Sequence, residues 1–294
     1  MSVFSIPSTQ RSKMAKNAVK QEVVAHEMQS GELAIPSWMA GDAGMGLEGV
    51  DQSLLTIPRI SLMHSTSDPV TSGLTAPGHY WHKTLQESVG TKVIAIPVFV
   101  EKSYLLWDPA PGAREVLARG VKKGDIWIWD PSNTTFDVII DKKGTKAKWN
   151  TSHSIAASGL AKWDDNTPPP AKEVINVLFA LPEVGPDSFG VMSFMKSAYP
   201  IGRQLVQTLH AKSRLPTFAY KFVLGSHTVT AKSKEKHLAP TIQPAGMVED
   251  EVTYNACKAM CERVRATGLS GVPVEGDDAP GDGSASSSAD EKAF

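Results

Sequence analysis

The feature that most constrains the fold is a succession of short apolar and β-branched runs, each ended by Gly, Pro, Asn or Asp. The run Thr91–Trp107 predicts one long, bent strand, or two strands, because Pro97 interrupts it. Ile126–Trp129 and Thr135–Ile140 predict a hairpin joined at Pro131–Asn133. Short strands separated by turns favour an antiparallel barrel, which leaves few exposed sheet edges.

Helices are expected late in the chain. Ser197–Lys212 predicts a helix because Ile201, Leu205 and Leu209 are spaced by four. The remaining predicted elements are a short helix over 113–119, strands over Leu54–Met63, Glu173–Leu181 and Val191–Met195, a loop over Asn150–Pro170, a hairpin turning at Gly225-Ser226 between Phe218–Leu224 and His227–Ala231, and a helix over Glu249–Ala266 that Gly268 ends.

The composition predicts three parts. Residues 1–50 form a flexible N-terminal arm and linker, 51–268 a folded domain, and 269–294 a disordered acidic tail. The arm is basic in its first half, and it is either a contact for nucleic acid or a neighbouring subunit, or a frayed terminus. It has no apolar core of the kind a secretory signal needs. Two cysteines give no disulfide framework, so a cytoplasmic compartment is expected.

Charge is concentrated in one segment. The 47 residues Val191–His237 hold eight Lys or Arg and one acid, on a chain whose net charge is −1. Aromatic residues lie among these cations. Cations hold phosphates and rings stack unpaired bases, so the pattern indicates either a single-stranded nucleic-acid site or an ordinary solvated basic face.

Tryptophans provide a second candidate surface. Trp127 and Trp129 are two residues apart on a predicted strand, so both point to one side of it. They are either core residues or a platform for bases. Lys122 and Lys123 precede the pair, and the platform interpretation also draws on Lys142, Lys143, Lys146 and Lys148.

The residues give no enzyme or metal signature. The chain has no glycine-rich phosphate loop and no paired-histidine metal motif. Cys257 and Cys261 lie one helical turn apart, but no histidine pattern supplies two further zinc ligands. We therefore expect no catalytic residues, no metal and no cofactor.

The tail ends in Asp290-Glu291-Lys292-Ala293-Phe294. A terminal ring beside acids lets a partner bind a ring, a carboxylate and flanking charge together. The alternative is an ordinary solubilising terminus.

A set of short segments resembles the single-stranded DNA-binding proteins of tailed bacteriophages, over roughly Leu54–Ala266. The segments are Leu55–Ile60, Pro77–Tyr80, Val93–Trp107, Phe194–Ser197, Gly202–Leu205, Leu215–Phe222 and Pro244–Gly246. The resemblance implies a β-rich α+β fold, an oligonucleotide-binding (OB) barrel with added helices. It also implies that the protein coats single-stranded DNA during phage replication and recombination in the host cytoplasm. Asp290, Glu291 and Phe294 match the acidic, Phe-ended tail by which such proteins recruit replication partners.

The prediction is thus a non-enzymatic, sequence-independent binder of single-stranded DNA without a membrane partner. Alternatives are a virion structural or capsid-associated protein and a strand-annealing recombination protein; homo-oligomerisation stays open. The candidate DNA-binding residues are Trp81, Lys102, Tyr104, Trp107, Lys122, Lys123, Trp127, Trp129, Lys196, Arg203, Lys212, Arg214, Tyr220, Lys221, Lys232, Lys234 and Lys236.

Overall fold

A computed structural model describes residues 57–110, 115–164, 168–185, 188–230 and 236–269. All of these lie in one of the two units into which the chain divides, Leu47–Phe294. The predicted arm, the acidic tail and the cations Lys232 and Lys234 fall outside the described residues.

The described residues form antiparallel sheets with few helices. The strands are β1 (Ile60–Leu62), β2 (Tyr80–His82), β3 (Glu87–Gly90), β4 (Val93–Trp107), β5 (Val116–Lys123), β6 (Ile126–Asp130), β7 (Thr134–Ile139), β8 (Lys146–Thr151), β9 (Ala171–Ala180), β10 (Phe189–Phe194), β11 (Tyr220–Thr230) and β12 (Lys236–Met247). The helices are α1 (Asp68–Thr71), α2 (Ile155–Ser158), α3 (Tyr199–Ala211) and α4 (Glu251–Thr267), with single 3₁₀ turns at Lys196–Ala198 and Thr217–Ala219.

The largest sheet has seven strands. Its main path runs β10-β9-β4-β11-β12, and β5 and β6 continue from the far end of β4. Two smaller sheets are β1-β2-β3 and the β7-β8 hairpin. Among the described residues the ladders do not close into a ring, so the predicted closed barrel is not present. A single bridge between Arg59 and Val191 joins the segment before β1 to the edge of β10.

Strand β4 organises this sheet. The predicted long, bent strand over Thr91–Trp107 is confirmed, because Val93–Trp107 is continuous and has a bulge between Pro97 and Phe99. A bulge bends a strand and increases its twist. The first part of β4 pairs with β11, most of the rest pairs with β9, and its end also pairs with β5, so one strand belongs to three ladders.

Three apolar clusters hold the elements together. One lies under α3 and includes Phe179, Phe194 and Phe222. A second lies under α4, on Ile96 and Leu178. The third surrounds Trp129 between the β5-β6 hairpin and α2, and its other buried members are Leu106, Ala118, Ile155, Leu160 and Ala171.

Both long predicted helices are confirmed. Helix α4 begins at the N-cap Asp250, whose side chain accepts from the backbone N–H of Thr253, and ends at Gly268. Helix α3 approaches the sheet closely at Gly202, where an added Cβ would lie 2.7 Å from the Cβ of Phe194.

Several local predictions were wrong because the strands pair differently. β6 pairs with β5 and β7 with β8, so Pro131–Asn133 does not join a hairpin. The predicted helix over 113–119 overlaps β5, and the predicted loop over Asn150–Pro170 contains the end of β8 and all of α2. Gly225-Ser226 is not a turn, because β11 runs straight through it and pairs with β12.

Candidate nucleic-acid interface

Cations and rings share one side of the sheet formed by β9, β4, β5 and β6. Side chains alternate along a strand, so Lys102 and Tyr104 of β4 point the same way. The cross-strand neighbour of Tyr104 on β9 is Glu173, and Lys122 of β5 lies opposite Trp127 of β6. Helix α3 adds Tyr199, whose hydroxyl donates to Glu173, and Arg203, which lies one helical turn later and whose charge acts on Tyr199. We call this surface the basic aromatic face, and its members are Lys102, Tyr104, Lys122, Trp127, Glu173, Tyr199 and Arg203.

The rings and the cations of this face are in contact. The Lys102 Nζ lies 5.0 Å from the centre of the Tyr104 ring. The Tyr104 and Trp127 rings have centroids 5.7 Å apart and planes at 76°, an edge-to-face pair. Both rings are half-buried, while Lys122 is exposed beside Trp127. The face therefore offers ring surface and positive charge side by side.

One carboxylate lies among these cations. Glu173 accepts a hydrogen bond of 2.5 Å from the Lys102 Nζ and one of 2.6 Å from the Tyr199 hydroxyl. Burial acts to raise the pKa of Glu173, but these two hydrogen bonds, together with the charge of Lys102 and a contribution from Tyr104, outweigh burial and lower the pKa. Burial likewise acts to lower the pKa of Lys102, and the bond to Glu173 reverses this and raises it. The pKa of Tyr199 is raised by burial and by the same carboxylate. Lys102 therefore stays protonated, but the Glu173 carboxylate already balances its positive charge.

Gly120 makes room for the Tyr104 side chain. A Cβ at Gly120 would lie 2.9 Å from the Cβ of Tyr104 and 2.8 Å from the Cδ1 of Ile155. Such separations are shorter than real Cβ contacts allow. Only glycine lets Tyr104 lie across β5 toward Trp127.

The third apolar cluster packs against this face. Tyr104 and Trp127 pack against it, and Trp129 is its largest buried member. The Trp129 indole N–H donates to the Ser158 hydroxyl at 2.9 Å. Of the two tryptophans on β6, one is core and the other is at the surface.

Three predicted stacking residues are corrected by burial. Trp129 and Trp81 are 1% and 4% exposed, and neither has a ring face open to a base. Tyr220 is 9% exposed, and its hydroxyl donates to the Lys212 carbonyl at 3.0 Å. These rings are buried because indole and phenol side chains stabilise a core by their large apolar area. Trp107, at the end of β4, is half-buried.

The predicted basic stretch is not one surface. Lys196 and Arg203 lie at the start of α3. The pKa of Lys172 is lowered by burial and, to a smaller extent, by like-charge repulsion from Lys196. Lys212 and Arg214 follow the other end of a helix about 20 Å long.

The remaining cations of that stretch lie on β11 and β12. Lys221 of β11 pairs with Glu249 at 3.5 Å, while Lys212, after α3, lies 4.9 Å from the centre of the Tyr220 ring. Lys236 is opposite Thr230, about 30 Å along β11 from Lys221. Charges that are close in sequence are thus spread over several elements. Of the predicted cations, Lys102, Lys122 and Arg203 belong to the basic aromatic face, and Lys123 is exposed beside Lys122.

The predicted site residues do not include Glu173, nor Tyr199, which is one of the aromatic residues among the cations of Val191–His237. Glu173 begins the apolar run of β9 and is 71 residues from Lys102 and 26 from Tyr199. No local pattern marks contacts over such separations. Among the described residues, no three His, Cys, Asp or Glu side chains gather into a metal site. No helix in the described part of the chain is both long and apolar enough to cross a membrane.

A family model described as Pam3 phage gp34-like protein matches residues 28–270, more than half of the chain. The chain belongs to the Pam3 phage gp34-like family. The match includes every residue of the basic aromatic face. The family description names a phage protein and states no ligand or activity. No curated protein and no solved structure matches this member of the gp34-like family.

Proposed function

We propose that this gp34-like protein is a non-enzymatic, sequence-tolerant binder of single-stranded DNA in phage replication and recombination. One observation carries the proposal: Tyr104 and Trp127 are in edge-to-face contact on a sheet surface that also presents Lys102 and Lys122. Rings beside cations provide what an unpaired strand needs from a protein.

The two kinds of side chain have different tasks in this proposal. Tyr104 and Trp127 stack bases, and stacking contributes roughly 1 to 3 kcal/mol for each base, whichever base it is. Lys122 and Arg203, both exposed, neutralise phosphates and release counterions. Stacking and phosphate contacts carry no sequence information, so binding is expected to tolerate any sequence.

An OB-like origin for the fold is part of the proposal. β4 is long, carries a bulge, and is shared by three antiparallel ladders, with β11, β9 and β5, which is the way a strand turns the corner of a small barrel. In this interpretation the barrel is open, and β5 and β6 extend one side of it.

The tail has a separate role in the proposal. The tail recruits replication or recombination proteins in the host cytoplasm through Asp290, Glu291 and Phe294. The sequence pattern of these residues is what supports this role. Removing residues 286–294 is expected to abolish capture of those proteins. The truncated protein should retain its hold on single-stranded DNA.

The test is a titration of fluorescently labelled oligo-dT and of a duplex of the same length. We expect saturable binding to oligo-dT, weaker binding to the duplex, and loss of oligo-dT affinity in the Lys122→Gln/Trp127→Ala variant. Lys258→Gln is the matched control, because Lys258 is exposed on α4, which packs on the second apolar cluster. Equal affinity of the double variant and the native protein would refute the proposal.

A further inference from the structure

The β7-β8 hairpin has a fixed turn. The Asp141 carboxylate accepts from the backbone N–H groups of Lys143 and Thr145, at 2.9 and 3.0 Å, and from the Thr145 hydroxyl at 2.8 Å. Gly144 provides the positive φ, 79°, that the turn requires. The Ile140 N–H donates to the Thr145 carbonyl. The end of this hairpin therefore has a defined shape.

One side of the hairpin is anchored to the body. Phe136 is opposite Trp149, and both pack against the cluster around Trp129. The same cluster supports Tyr104 and Trp127. The hairpin and the basic aromatic face are thus held on one apolar core.

The turn end of the hairpin combines exposed aliphatic side chains with cations. Ile139 and Ile140 are 41% and 45% exposed. Lys142, Lys143 and Lys146 are exposed around them, and the Lys148 ammonium lies 3.7 Å from the carboxylate of the exposed Asp137. The positive charge around these two aliphatic side chains favours a polyanion as the ligand.

We propose that the β7-β8 hairpin is a wedge for the end of a DNA duplex, at the point where it opens into the single strand bound by the basic aromatic face. Ile139 and Ile140 are successive residues and point to opposite sides of the strand end. The wedge therefore presents an aliphatic side chain on each of its two sides to the terminal base step, as apolar wedges do in proteins that unstack DNA. Lys142, Lys143 and Lys146 contact the phosphates of the duplex. The inference rests on the proposed function and adds its preferred substrate, a junction of single- and double-stranded DNA.

The test compares three labelled DNAs: a single strand, a blunt duplex, and a duplex with that single strand as its tail. The native protein is expected to bind the tailed duplex about 10-fold more tightly than the single strand alone. In the Ile139→Ser/Ile140→Ser variant that preference should disappear while affinity for the single strand is unchanged. Leu74→Ser, at a residue 64% exposed outside the hairpin, is the control and should keep the preference.

A second variant and a binding assay on lipid vesicles distinguish the possible outcomes. Lys142→Gln/Lys143→Gln should reduce the junction preference and flatten its salt dependence. Equal binding of tailed and untailed DNA by the native protein would overturn the wedge, as would an equal loss on both DNAs in the isoleucine variant. Binding to phosphatidylglycerol vesicles that is lost in that variant, without a junction preference, would assign the hairpin to a membrane surface instead. Failure to bind the single strand at all would overturn the proposed function as well, so the two failures are distinguishable.

Discussion

The Lys102 ammonium lies 2.5 Å from the Glu173 carboxylate, across the β4-β9 ladder. Both side chains are a little over two-fifths exposed, so the pair contributes less than about 1 kcal/mol to folding. Its importance is for binding, because it places a negative charge among the residues that would meet a phosphate. Glu173 is therefore an internal competitor of the ligand that we propose.

Replacing Glu173 by Gln is expected to tighten binding of oligo-dT by about 3- to 10-fold, because the substitution frees Lys102 and removes a repulsive charge. The dependence of log affinity on log salt should steepen by about 0.7, the contribution of one more phosphate contact on a single strand. Anisotropy titrations at several salt concentrations measure both effects. Glu262→Gln, at an exposed position of α4, is the control and should change neither. Unchanged or weaker binding by Glu173→Gln would show that its carboxylate does not oppose DNA.

Two lysines of the face should behave differently. Lys122→Gln is expected to reduce the slope of log affinity against log salt by about 0.7. Lys122 is exposed and, within the described residues, forms no ion pair. Lys102→Gln should change the slope much less, because Glu173 already neutralises Lys102. The same titrations test this difference. Equal slopes for the two variants would contradict it.

Substitutions of the two tryptophans of β6 should affect different properties, one the binding of DNA and the other the stability of the fold. Trp127→Ala is expected to weaken oligo-dT binding by roughly 1 to 3 kcal/mol for the lost stack. Trp129→Ala removes a buried ring and should lower the free energy of unfolding by about 3 to 5 kcal/mol. Denaturant unfolding and DNA titration on both variants measure these effects. A large binding defect in a normally stable Trp129→Ala protein would reverse our assignment of core and surface.

The thiols of α4 should be slow to react. Burial, followed by the neighbouring Cys261 thiol, raises the pKa of Cys257 to about 11, so at pH 8 about one thiol in a thousand is ionised. Because this folded-state pKa is raised, Cys257 favours folding below its unfolded pKa, and that contribution is lost as pH rises toward 11. In Cys261→Ala, Ellman's reagent should react with Cys257 only after denaturant is added. Rapid reaction of the native variant would show that α4 opens readily.

The elements that sequence predicts well are those whose signal is local. The β4 run, the spacing of Ile201, Leu205 and Leu209, and the charged ends of α4 predicted a strand and two helices that the structure confirms. Each depends on residues within a few positions of one another.

Strand pairing is not local, and the errors arise there. Gly225-Ser226 has the composition of a turn, but Ser226 donates to the Gly78 carbonyl, and Gly225 accepts from the Tyr80 hydroxyl. These contacts come from residues about 150 positions earlier and hold β11 straight. The same holds for the basic aromatic face. Lys102, Tyr104, Lys122 and Trp127 are all predicted candidates, but only the pairing of β4, β5 and β6, which the sequence did not predict, places them together, and Glu173 joins them from β9.

The most direct test of the central claim is the affinity of the native protein for oligo-dT at 50 and 200 mM salt, alongside Tyr104→Ala/Trp127→Ala. We predict that affinity falls steeply with salt and that the double variant binds at least about 10-fold more weakly at both concentrations, with a similar slope. Affinity that is independent of salt, or unchanged when both rings are removed, would contradict the account.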